Sequence, residues 1–317
     1  MTDNLKVGSL EAAPASKVVG AETLELAGHV VETPLFLING ARVGPTLAVT
    51  AGIHGSEFAS IEAALQFGKS LKPSELKGRV VVVPVANVPA FRARSIYVGP
   101  LDGINLNRVF PGKAEGTASE QLAYWLFQNV IGPADYYVDM HGGDMIEALV
   151  PFTIFANTGD SVVDQRSLEM ARAYGISYVV RSETRGGTYA AAAQAGIPAI
   201  LTEAGGQGIW LPEHVATHVN GLNRLMRHLG MLEGPEPEPL PIQMLEQFIW
   251  LRSDLDGYYY PRITVDEVVR EGQDIGAVTD FQGRVLQSIT SPTDGRVLFL
   301  VSSLAINKGD PLVAIGA

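Results

Sequence analysis

Histidine and acidic side chains follow separate apolar segments of this sequence, and each time glycine stands beside them. Gly-Ile-His-Gly-Ser-Glu at 52–57 places His54 and Glu57 three residues apart, and His141 precedes two glycines after a second apolar segment. Zinc binds imidazole nitrogen and carboxylate oxygen, and a catalytic zinc keeps one position open beside three protein ligands. These three side chains could therefore hold one zinc ion, although His54 and Glu57 alone would also fit an ordinary helix N-terminus.

A third apolar segment, residues 197–201, leads to Glu203 and again to glycines. A carboxylate beside a zinc site can take a proton from water, so Glu203 is the predicted general base. The alternative is a carboxylate at a strand end that pairs with an arginine. Asp139, two residues before His141, is predicted either to orient that ligand through a hydrogen bond or to end its strand.

The apolar segments predict a largely parallel β-sheet. Residues 45–49 form a buried strand, residues 58–71 repeat apolar residues at helical spacing, and the valine run at 80–83 has the pattern of a strand covered on both faces. Strand, helix and strand in this order indicate a βαβ unit and an α/β fold. Ligands in such sheets bind at the carboxyl ends of the strands, where the histidine and acidic residues are placed.

Further elements are predicted around this unit. Two or three strands lie between residues 20 and 50, with Asn39-Gly40 as a hairpin-type turn, and His29 is interpreted as a half-buried strand residue. A helix is predicted from about Ser119 to Asn129.

A long loop at residues 87–112 is rich in Gly, Pro and Asn and is expected to be functional. It carries Arg92, Arg94 and Arg108 in a protein whose net charge is −11. Arginine binds a carboxylate through two parallel hydrogen bonds, so the loop could bind an acidic substrate. The alternative is that these arginines pair with the protein's own carboxylates.

Composition excludes several classes of protein. The 317 residues include no cysteine, so a disulfide or a thiolate zinc site is excluded. No Lys/Arg cluster is present, so neither nucleic acid nor an anionic membrane is an expected partner. The N-terminus lacks the pattern of a signal peptide and no apolar run is long enough to span a membrane, so a cytoplasmic protein is expected.

A proline-rich segment at 233–241 predicts a linker between a hydrolase domain at 1–232 and a β-rich domain at 242–317. Residues 256–278 resemble residues 294–315, and such a repeat predicts two similar half-sheets. This pattern is similar to the barrel-sandwich fold of lipoyl and biotinyl carriers.

The turn at 279–283 lacks the lysine to which a carrier attaches its cofactor, so a swinging-arm function is rejected. The C-terminal domain is instead expected to shape the site or to form a contact in a homo-oligomer. Tyr258 is the residue of this domain that is expected to reach the active centre.

Other candidate motifs are weaker. His214 and His218 are four residues apart on a predicted helix from Pro212 to Leu229, but His218 lies near the centre of its apolar stripe and is predicted to be a half-buried structural residue. The glycines at 205–208 do not form a dinucleotide fingerprint, because Leu211 occupies the place of the last glycine. No serine-hydrolase elbow or phosphate loop occurs.

Four motifs resemble, in order and spacing, those of the succinylglutamate desuccinylase/aspartoacylase family: Gly-x-His-Gly-x-Glu at 52–57, Asn-Leu-Asn-Arg-x-Phe-Pro-Gly at 105–112, Asp-x-His-Gly at 139–142 and Thr-Glu-Ala-Gly-Gly at 202–206. That family belongs to the zinc carboxypeptidase-like hydrolases, and the resemblance covers residues from about 30 to 317. It implies a three-layer domain with a mixed, largely parallel sheet, followed by the small all-β domain.

The resemblance also implies roles for individual residues. His54, Glu57 and His141 fall at the zinc ligands and Glu203 at the catalytic glutamate. Asn107 and Arg108 fall at the pair that binds the carboxylate of the substrate.

An arginine upstream in the same loop is implied to polarise the scissile carbonyl, and Arg94 is chosen over Arg92. The sequence departs from the family pattern here, because Ile96 and Tyr97 stand where relatives often carry that arginine. Arg185 is the candidate for a further arginine that binds the substrate, with Arg181 as the alternative.

These observations predict a zinc-dependent amidohydrolase that removes an acyl group from an N-acyl amino acid or a related small carboxylate. A zinc carboxypeptidase acting on short peptides would use the same residues in a more open cleft. A zinc-bearing binding protein without catalysis is the third alternative, and Glu203 argues against it.

Overall fold

Residues 3–317 are described by a computed structural model, in which the chain forms twenty strands and six α-helices. The strands are β1 (Leu5–Val7), β2 (Leu10–Ala12), β3 (Ser16–Leu26), β4 (His29–Asn39), β5 (Arg42–Ala51), β6 (Lys77–Val83), β7 (Tyr136–His141), β8 (Glu147–Leu149), β9 (Phe152–Ala156), β10 (Tyr178–Ser182), β11 (Ala199–Glu203), β12 (Gln243–Leu245), β13 (Phe248–Arg252), β14 (Gly257–Pro261), β15 (Val268–Val269), β16 (Asp274–Thr279), β17 (Val285–Thr290), β18 (Gly295–Val301), β19 (Ala305–Ile306) and β20 (Pro311–Gly316).

The helices are α1 (Phe58–Ser70), α2 (Val88–Ala93), α3 (Ala118–Leu126), α4 (Ser161–Tyr174), α5 (Thr188–Gln194) and α6 (Pro212–His228). Short 3-10 turns occur at Pro73–Glu75 and Leu106–Arg108. The helix predicted from Ser119 to Asn129 is α3, followed by the π-helical segment Phe127–Ile131.

Nine strands form one mixed sheet in the order β12-β10-β9-β11-β7-β5-β6-β4-β3. Five of its eight neighbouring pairs are parallel, including β5 with β6, which the helix α1 connects. The antiparallel pairs are β9 with β11, β4 with β6 and β3 with β4. The predicted α/β fold with a mixed, largely parallel sheet is confirmed.

Helices cover both faces of this sheet. Along β6, Val80 and Val82 are buried in a core shared with α1, α4 and α6. Val81 and Val83 are buried in the opposite core, which α3 and α5 complete. Because successive side chains of a strand point to opposite faces, a strand that is covered on both sides needs apolar residues at every position, as the valine run showed.

One predicted turn is wrong. The hairpin that joins β3 to β4 turns at Ala27-Gly28, where both residues have positive φ, 47° and 85°. Asn39-Gly40 instead leads from β4 to β5, and β6 lies between these two strands in the sheet. Asn39 is buried, and its amide donates hydrogen bonds to the carbonyl oxygens of Asp3 and Ala12, so this asparagine anchors the N-terminal segment.

The C-terminal region consists of antiparallel sheets, as expected for an all-β region. One contains β13-β20-β18-β15 and the other β17-β16-β14-β19. The two halves of the sequence repeat interlock, because β15 pairs with β18 and β19 pairs with β14. The region is also tied to the rest of the chain, since β8 pairs with β18, and β12 pairs with β10 of the large sheet. The division at 233–241 stays a prediction.

Among residues 3–317, none of the helices combines the length and the apolar character that a membrane crossing requires.

Candidate metal centre and substrate cavity

Three neighbouring parallel strands, β11, β7 and β5, bring the chemical groups to one edge of the sheet. The register pairs Glu203 with His141 at the ends of β11 and β7. It also pairs Ala51, the last residue of β5, with Met140. Since parallel strands end at the same edge, the segment that follows β5 starts directly beside His141.

That segment turns tightly because two glycines allow it. Gly52 has a φ of +67°, a conformation that L side chains rarely adopt. At Gly55 a Cβ atom would lie 2.1 Å from the carbonyl carbon of Ala90, so the backbone of α2 occupies the space of any side chain there. The two glycines thus set the path of the chain around His54.

His54, Glu57 and His141 form one compact group, in which the three ligand atoms all lie within 4.8 Å of one another. Nδ1 of His54 is 2.7 Å from Oε1 of Glu57, and Nδ1 of His141 is 2.9 Å from Oε2. The two imidazole rings have centroids 5.1 Å apart and meet at 75°. The carboxylate therefore lies between two imidazole nitrogens, and all three groups can reach one ion.

The donor set fits zinc. Glu57 precedes α1 as its N-cap residue, but its carboxylate makes no capping bond to the helix, so the helix-N-terminus interpretation does not account for it. Oε2 of Glu57 is buried and has no hydrogen bond of good geometry. The outer nitrogen of His54 lies 3.1 Å from Oδ1 of Asn105, and that of His141 lies 2.8 Å from Oδ2 of Asp139. An N–H at each outer nitrogen leaves both Nδ1 lone pairs facing Glu57, as metal ligation requires.

The electrostatics of the group agree with a site for a cation. Burial would raise the pKa of Glu57, but the two neighbouring imidazoles lower it to about 2. Burial lowers the pKa of His141, whereas Glu57 and Asp139 raise it well above its usual value. The carboxylates thus make positive charge favourable at this buried position, and a divalent ion would supply that charge while the imidazoles release their protons.

Asp139 is fully buried and holds His141 in place. Oδ1 of Asp139 accepts a hydrogen bond of 2.6 Å from the hydroxyl of Thr50, and Oδ2 accepts one from the hydroxyl of Thr188. With His141 Nε2 on the same Oδ2, the carboxylate is fixed from three sides. The predicted hydrogen bond between His141 and Asp139 is confirmed, with the carboxylate as acceptor.

Glu203 ends β11 directly beside His141 and faces the cavity at this edge of the sheet. Burial raises the pKa of Glu203 well above its ordinary value, although the positive charge of His141 lowers it. Oε2 of Glu203 is buried and has no hydrogen-bond partner among the described residues. A carboxylate with this surrounding can accept and return a proton.

The cavity has a volume of about 370 Å³, and Asn107 and Arg108 line it together with the metal group. Asn107 is buried, and its Oδ1 accepts a hydrogen bond of 3.0 Å from the backbone N–H of Thr188. Arg108 is exposed, and its Nη1 donates to the carbonyl oxygen of Asn107 over 2.8 Å. The guanidinium is therefore tethered at the cavity and can bind an anionic group.

The other substrate residues expected from sequence lie elsewhere. Arg94 is exposed at the end of α2 with a φ of +52°, and neither it nor Arg92 lines the cavity. Arg185 is exposed outside the cavity, whereas the alternative Arg181 does line it. Tyr258 packs against Tyr260 and Phe281 rather than facing the cavity. The predictions for Arg94, Arg185 and Tyr258 are wrong because packing against distant segments determines where loop and edge residues lie, and motif spacing contains no information about that packing.

Sequence reasoning missed a cluster of Tyr97, Asp144 and Glu147 in the same cavity region. Tyr97 has a φ of +60°, its backbone N–H donates to Asp144 over 3.0 Å, and its hydroxyl is buried. Oε2 of Glu147 accepts the backbone N–H of Asp144 over 2.7 Å. Burial, then the charge of Asp144, raises the pKa of Glu147 to about 7. The sequence signal that could have indicated this cluster is the pair of acidic residues, Asp144 and Glu147, that follows His-Gly-Gly.

An aromatic wall, consisting of Phe152, Phe248, Trp250 and Phe299, was also missed. Three of the four residues come from the C-terminal region. Successive ring centroids along this wall lie 5.5, 5.3 and 4.9 Å apart. The C-terminal region therefore shapes the cavity, but through these residues instead of Tyr258.

The remaining histidines are structural or exposed. His218 is fully buried rather than half-buried, and its Nδ1 lies 3.2 Å from the hydroxyl of Tyr174 and 3.3 Å from that of Thr202. Burial lowers the pKa of His218 to about 4, so it is neutral. His214 does not belong to the metal-binding group, and His29 is exposed at the start of β4.

Comparisons with known proteins agree with this geometry. The model of the succinylglutamate desuccinylase/aspartoacylase catalytic domain matches residues 43–229. An N-alpha-acetyl-L-2,4-diaminobutyric acid deacetylase from Halomonas elongata is 28% identical over 281 residues, which are 86% of this chain and 82% of the relative.

Two solved structures are similar over the whole fold. A succinylglutamate desuccinylase/aspartoacylase from Rhodobacter sphaeroides shares 26% identity with a TM-score of 0.85, covering 95% of both chains. The product-bound ectoine utilization protein EutE (DoeB) from Ruegeria pomeroyi shares 26% identity with a TM-score of 0.87, again over 95% of both chains.

Proposed function

Since this chain belongs to the succinylglutamate desuccinylase/aspartoacylase family, we propose that it is a zinc-dependent deacylase of N-acyl amino acids or related small carboxylates. The names of two similar proteins support this, because one is a deacetylase of an N-acetylated amino acid and the other belongs to ectoine utilization. The proposal assigns the metal to His54, Glu57 and His141 and the proton transfer to Glu203.

One observation carries the proposal: the β7–β11 register places Glu203 beside His141, while Arg108 lines the same cavity. A deacylase of an N-acyl amino acid needs three features close enough to contact one small substrate. These are a set of metal ligands, an acid–base group and a positively charged side chain that binds the carboxylate of the substrate. The cavity combines all three.

The reaction splits the amide by adding water, giving a carboxylic acid and an amine. Arg108 binds the carboxylate of the substrate, and Asn107 holds the guanidinium through its carbonyl oxygen, so the amide is directed toward Glu203. Zinc, when held by the three ligands, supplies Lewis acidity to this site. Glu203 takes a proton from the attacking water and delivers it to the departing amine nitrogen. Neither Arg92 nor Arg94 lines the cavity, so neither assists at the carbonyl group.

The shape of the cavity favours this function over a peptidase. Its volume of about 370 Å³ suits a small molecule, and the aromatic wall from the C-terminal region closes one side. A carboxypeptidase acting on short peptides needs a more open cleft, in the direction of the peptide. Within the part of the chain that the structure describes, the Oε2 atom of Glu203 has no hydrogen-bond partner, which argues against a binding protein that has lost catalysis.

For the architecture, we propose the layering of the zinc carboxypeptidases for residues 1–232 and a barrel-sandwich arrangement for residues 242–317, joined by 233–241. Helices on both sheet faces support the first, and the interlocked repeat of antiparallel strands supports the second.

The test is hydrolysis of an N-acetyl amino acid panel, with the dipeptides Gly-Leu and Ala-Phe beside it. Release of the free amine is expected only from N-acyl amino acids, with loss of activity in a chelator and recovery on addition of Zn²⁺. Faster cleavage of the dipeptides would establish the peptidase instead. Unchanged activity in the chelator-treated, metal-free protein would refute zinc dependence.

A further inference from the structure

We propose that the substrate of this enzyme carries an apolar group and that this group packs beside Glu203, between the sheet and the aromatic wall. This inference rests on the proposed deacylase function and names the substrate class. The relatives' names mention succinylglutamate, aspartate and diaminobutyrate chemistry, which is polar, so the inference distinguishes this chain from them.

The sheet forms the floor of this apolar subsite. Phe152 of β9 is the cross-strand partner of Glu203, and Ile154 is the partner of Leu201. Val180 of β10 is paired with Ile154 on the other side. Because residues i and i+2 share a face, these apolar side chains point to the same side of the sheet as Glu203. The strand next to Glu203 therefore already presents apolar side chains on this face of the sheet.

The aromatic wall covers this floor. The ring of Phe248 lies 5.5 Å from that of Phe152, which connects the wall to the neighbour of Glu203. Trp250 follows at 5.3 Å from Phe248 and stacks edgewise on Phe299 at 4.9 Å. All four rings line the cavity, so a group bound next to Glu203 meets aromatic carbon on two sides.

Burial shows which ring remains available for a ligand. Phe152 and Phe299 are 4% and 3% exposed and belong to the packed core, whereas Trp250 is 41% exposed. A large aromatic side chain that is exposed inside a concave pocket gains free energy when an apolar ligand covers it. Trp250 is therefore the contact residue, and the two phenylalanines form its support.

Most charged residues near the subsite already have partners in the protein, and the guanidinium of Arg252 lies over the Trp250 ring, 5.8 Å from its centroid. Arg181 and Glu183 are exposed and both bond to Asn157, at 2.8 and 3.3 Å. Glu246 is exposed as well. Glu147 is buried, but its Oε2 already accepts the backbone N–H of Asp144. An apolar group fits the subsite better than an ammonium or a second carboxylate.

The apolar group can belong to either half of the substrate, namely the amino acid side chain or the acyl chain. The side-chain arm of the experiment compares N-acetyl-L-leucine and N-acetyl-L-phenylalanine with N-acetyl-L-glutamate and Nα-acetyl-L-2,4-diaminobutyrate. The acyl arm compares N-hexanoylglycine with N-acetylglycine and N-succinylglycine. We expect kcat/KM to be higher by roughly tenfold or more for the apolar member of one arm.

A Trp250→Ala variant should remove most of this preference. Phe281→Ala is the matched control, because Phe281 is an aromatic residue of the same region that is 71% exposed outside the cavity. Binding gives a second measurement: in Glu203→Gln, the apolar substrate should change tryptophan fluorescence, and an additional Trp250→Phe substitution should abolish that change, whereas Trp210→Phe should not.

Each outcome decides one of the two proposals. Hydrolysis with equal or greater kcat/KM for the charged members of both arms overturns the apolar subsite and leaves the deacylase function intact. A Trp250→Ala variant with an unaltered preference also overturns it. If no N-acyl amino acid is hydrolysed by the zinc-loaded enzyme, the deacylase function fails, and the inference fails with it.

Discussion

At the scale of single residues, Glu203 combines burial beside His141 with a carboxylate oxygen that has no hydrogen-bond partner within residues 3–317. Glu203→Gln keeps the shape and removes the proton acceptor, so we expect kcat to fall by about 10²–10⁴ while KM changes little. The measurement is steady-state hydrolysis of N-acetyl amino acids. Glu183→Gln, an exposed substitution at the cavity rim, serves as control, and a parent-like kcat in Glu203→Gln would exclude the proposed proton transfer.

Asp139 is predicted to act through His141. Asp139→Asn preserves the volume but replaces the acceptor that orients the imidazole, so zinc affinity should fall by roughly 10–100-fold. Competition with a chromophoric chelator measures this affinity directly and does not depend on activity. Asp135→Asn is the control, because Asp135 lies at the opposite end of the same strand and accepts a hydrogen bond from the backbone N–H of Thr46. The zinc affinity of this variant should equal that of the parent.

The raised pKa of Glu147 predicts that the free energy of unfolding depends on pH. Its pKa in the folded protein is raised from 4.5 to about 7, by burial and the charge of Asp144, with Glu57 adding to it and Tyr97 opposing it. Because the folded protein favours the neutral carboxyl group, Glu147 stabilises the fold fully below about pH 4.5. This stabilisation is lost as the pH rises through about 7. The loss amounts to about 3 kcal/mol at most.

Glu147→Gln stays neutral and keeps an acceptor for the N–H of Asp144. Its free energy of unfolding relative to the parent should therefore increase between pH 5 and pH 8.5, as urea titrations would show. Glu238→Gln, in an exposed segment, should give no such trend. A difference between Glu147→Gln and the parent that is constant with pH would contradict the assignment.

At the scale of elements, the turn between β5 and α1 positions the proposed metal site because α2 packs directly against this turn. A Cβ at Gly55 would lie 2.1 Å from the backbone of Ala90, which cannot move as a side chain can. Gly55→Ala should displace His54 and reduce both the melting temperature and the zinc affinity. Gly99→Ala is the control, because its Cβ would meet no atom closer than 3.3 Å; a parent-like Gly55→Ala protein would refute the tight packing.

Strand β8 connects two parts of the structure with different roles. It carries Glu147 into the cavity, and it is paired with β18 of the C-terminal region, Leu149 with Phe299 and Val301 with Glu147. The position of the acidic cluster therefore depends on the C-terminal sheet. This dependence gives the C-terminal region a structural role at the site besides its aromatic wall.

At the scale of the whole molecule, Phe299 joins the C-terminal sheet, strand β8 and the cavity. It is 3% exposed, pairs with Leu149 and packs against Trp250. Phe299→Ala should lower the free energy of unfolding by about 3–5 kcal/mol, because it leaves a cavity in the core. It should also decrease kcat/KM for apolar substrates, since the support of Trp250 is lost. Chemical denaturation with Phe281→Ala as control tests the first effect, and a loss below about 1 kcal/mol would contradict it.

Much of the proposed metal site could be predicted from local sequence. His54, Glu57, His141 and Glu203 each follow an apolar strand within a few residues, and parallel strands necessarily end at one edge of a sheet. The spacing therefore already implied convergence, and the structure brings these four side chains together. The same reasoning held for the valine strand β6, whose continuous apolar pattern requires cover on both faces.

Tertiary structure alone decided the rest of the cavity. Phe248 meets Phe152 across about a hundred positions of the chain, and Trp250 and Phe299 continue the wall from Phe248, so no local pattern links them. Arg94 lies outside the cavity and Tyr97 inside it, although both have positive φ, because their places depend on packing against distant segments. Asn39-Gly40 has the composition of a hairpin turn, but a buried contact with the N-terminal segment determines its conformation. Local sequence thus determined the ligands and their strands, whereas contacts between distant segments determined the walls around them.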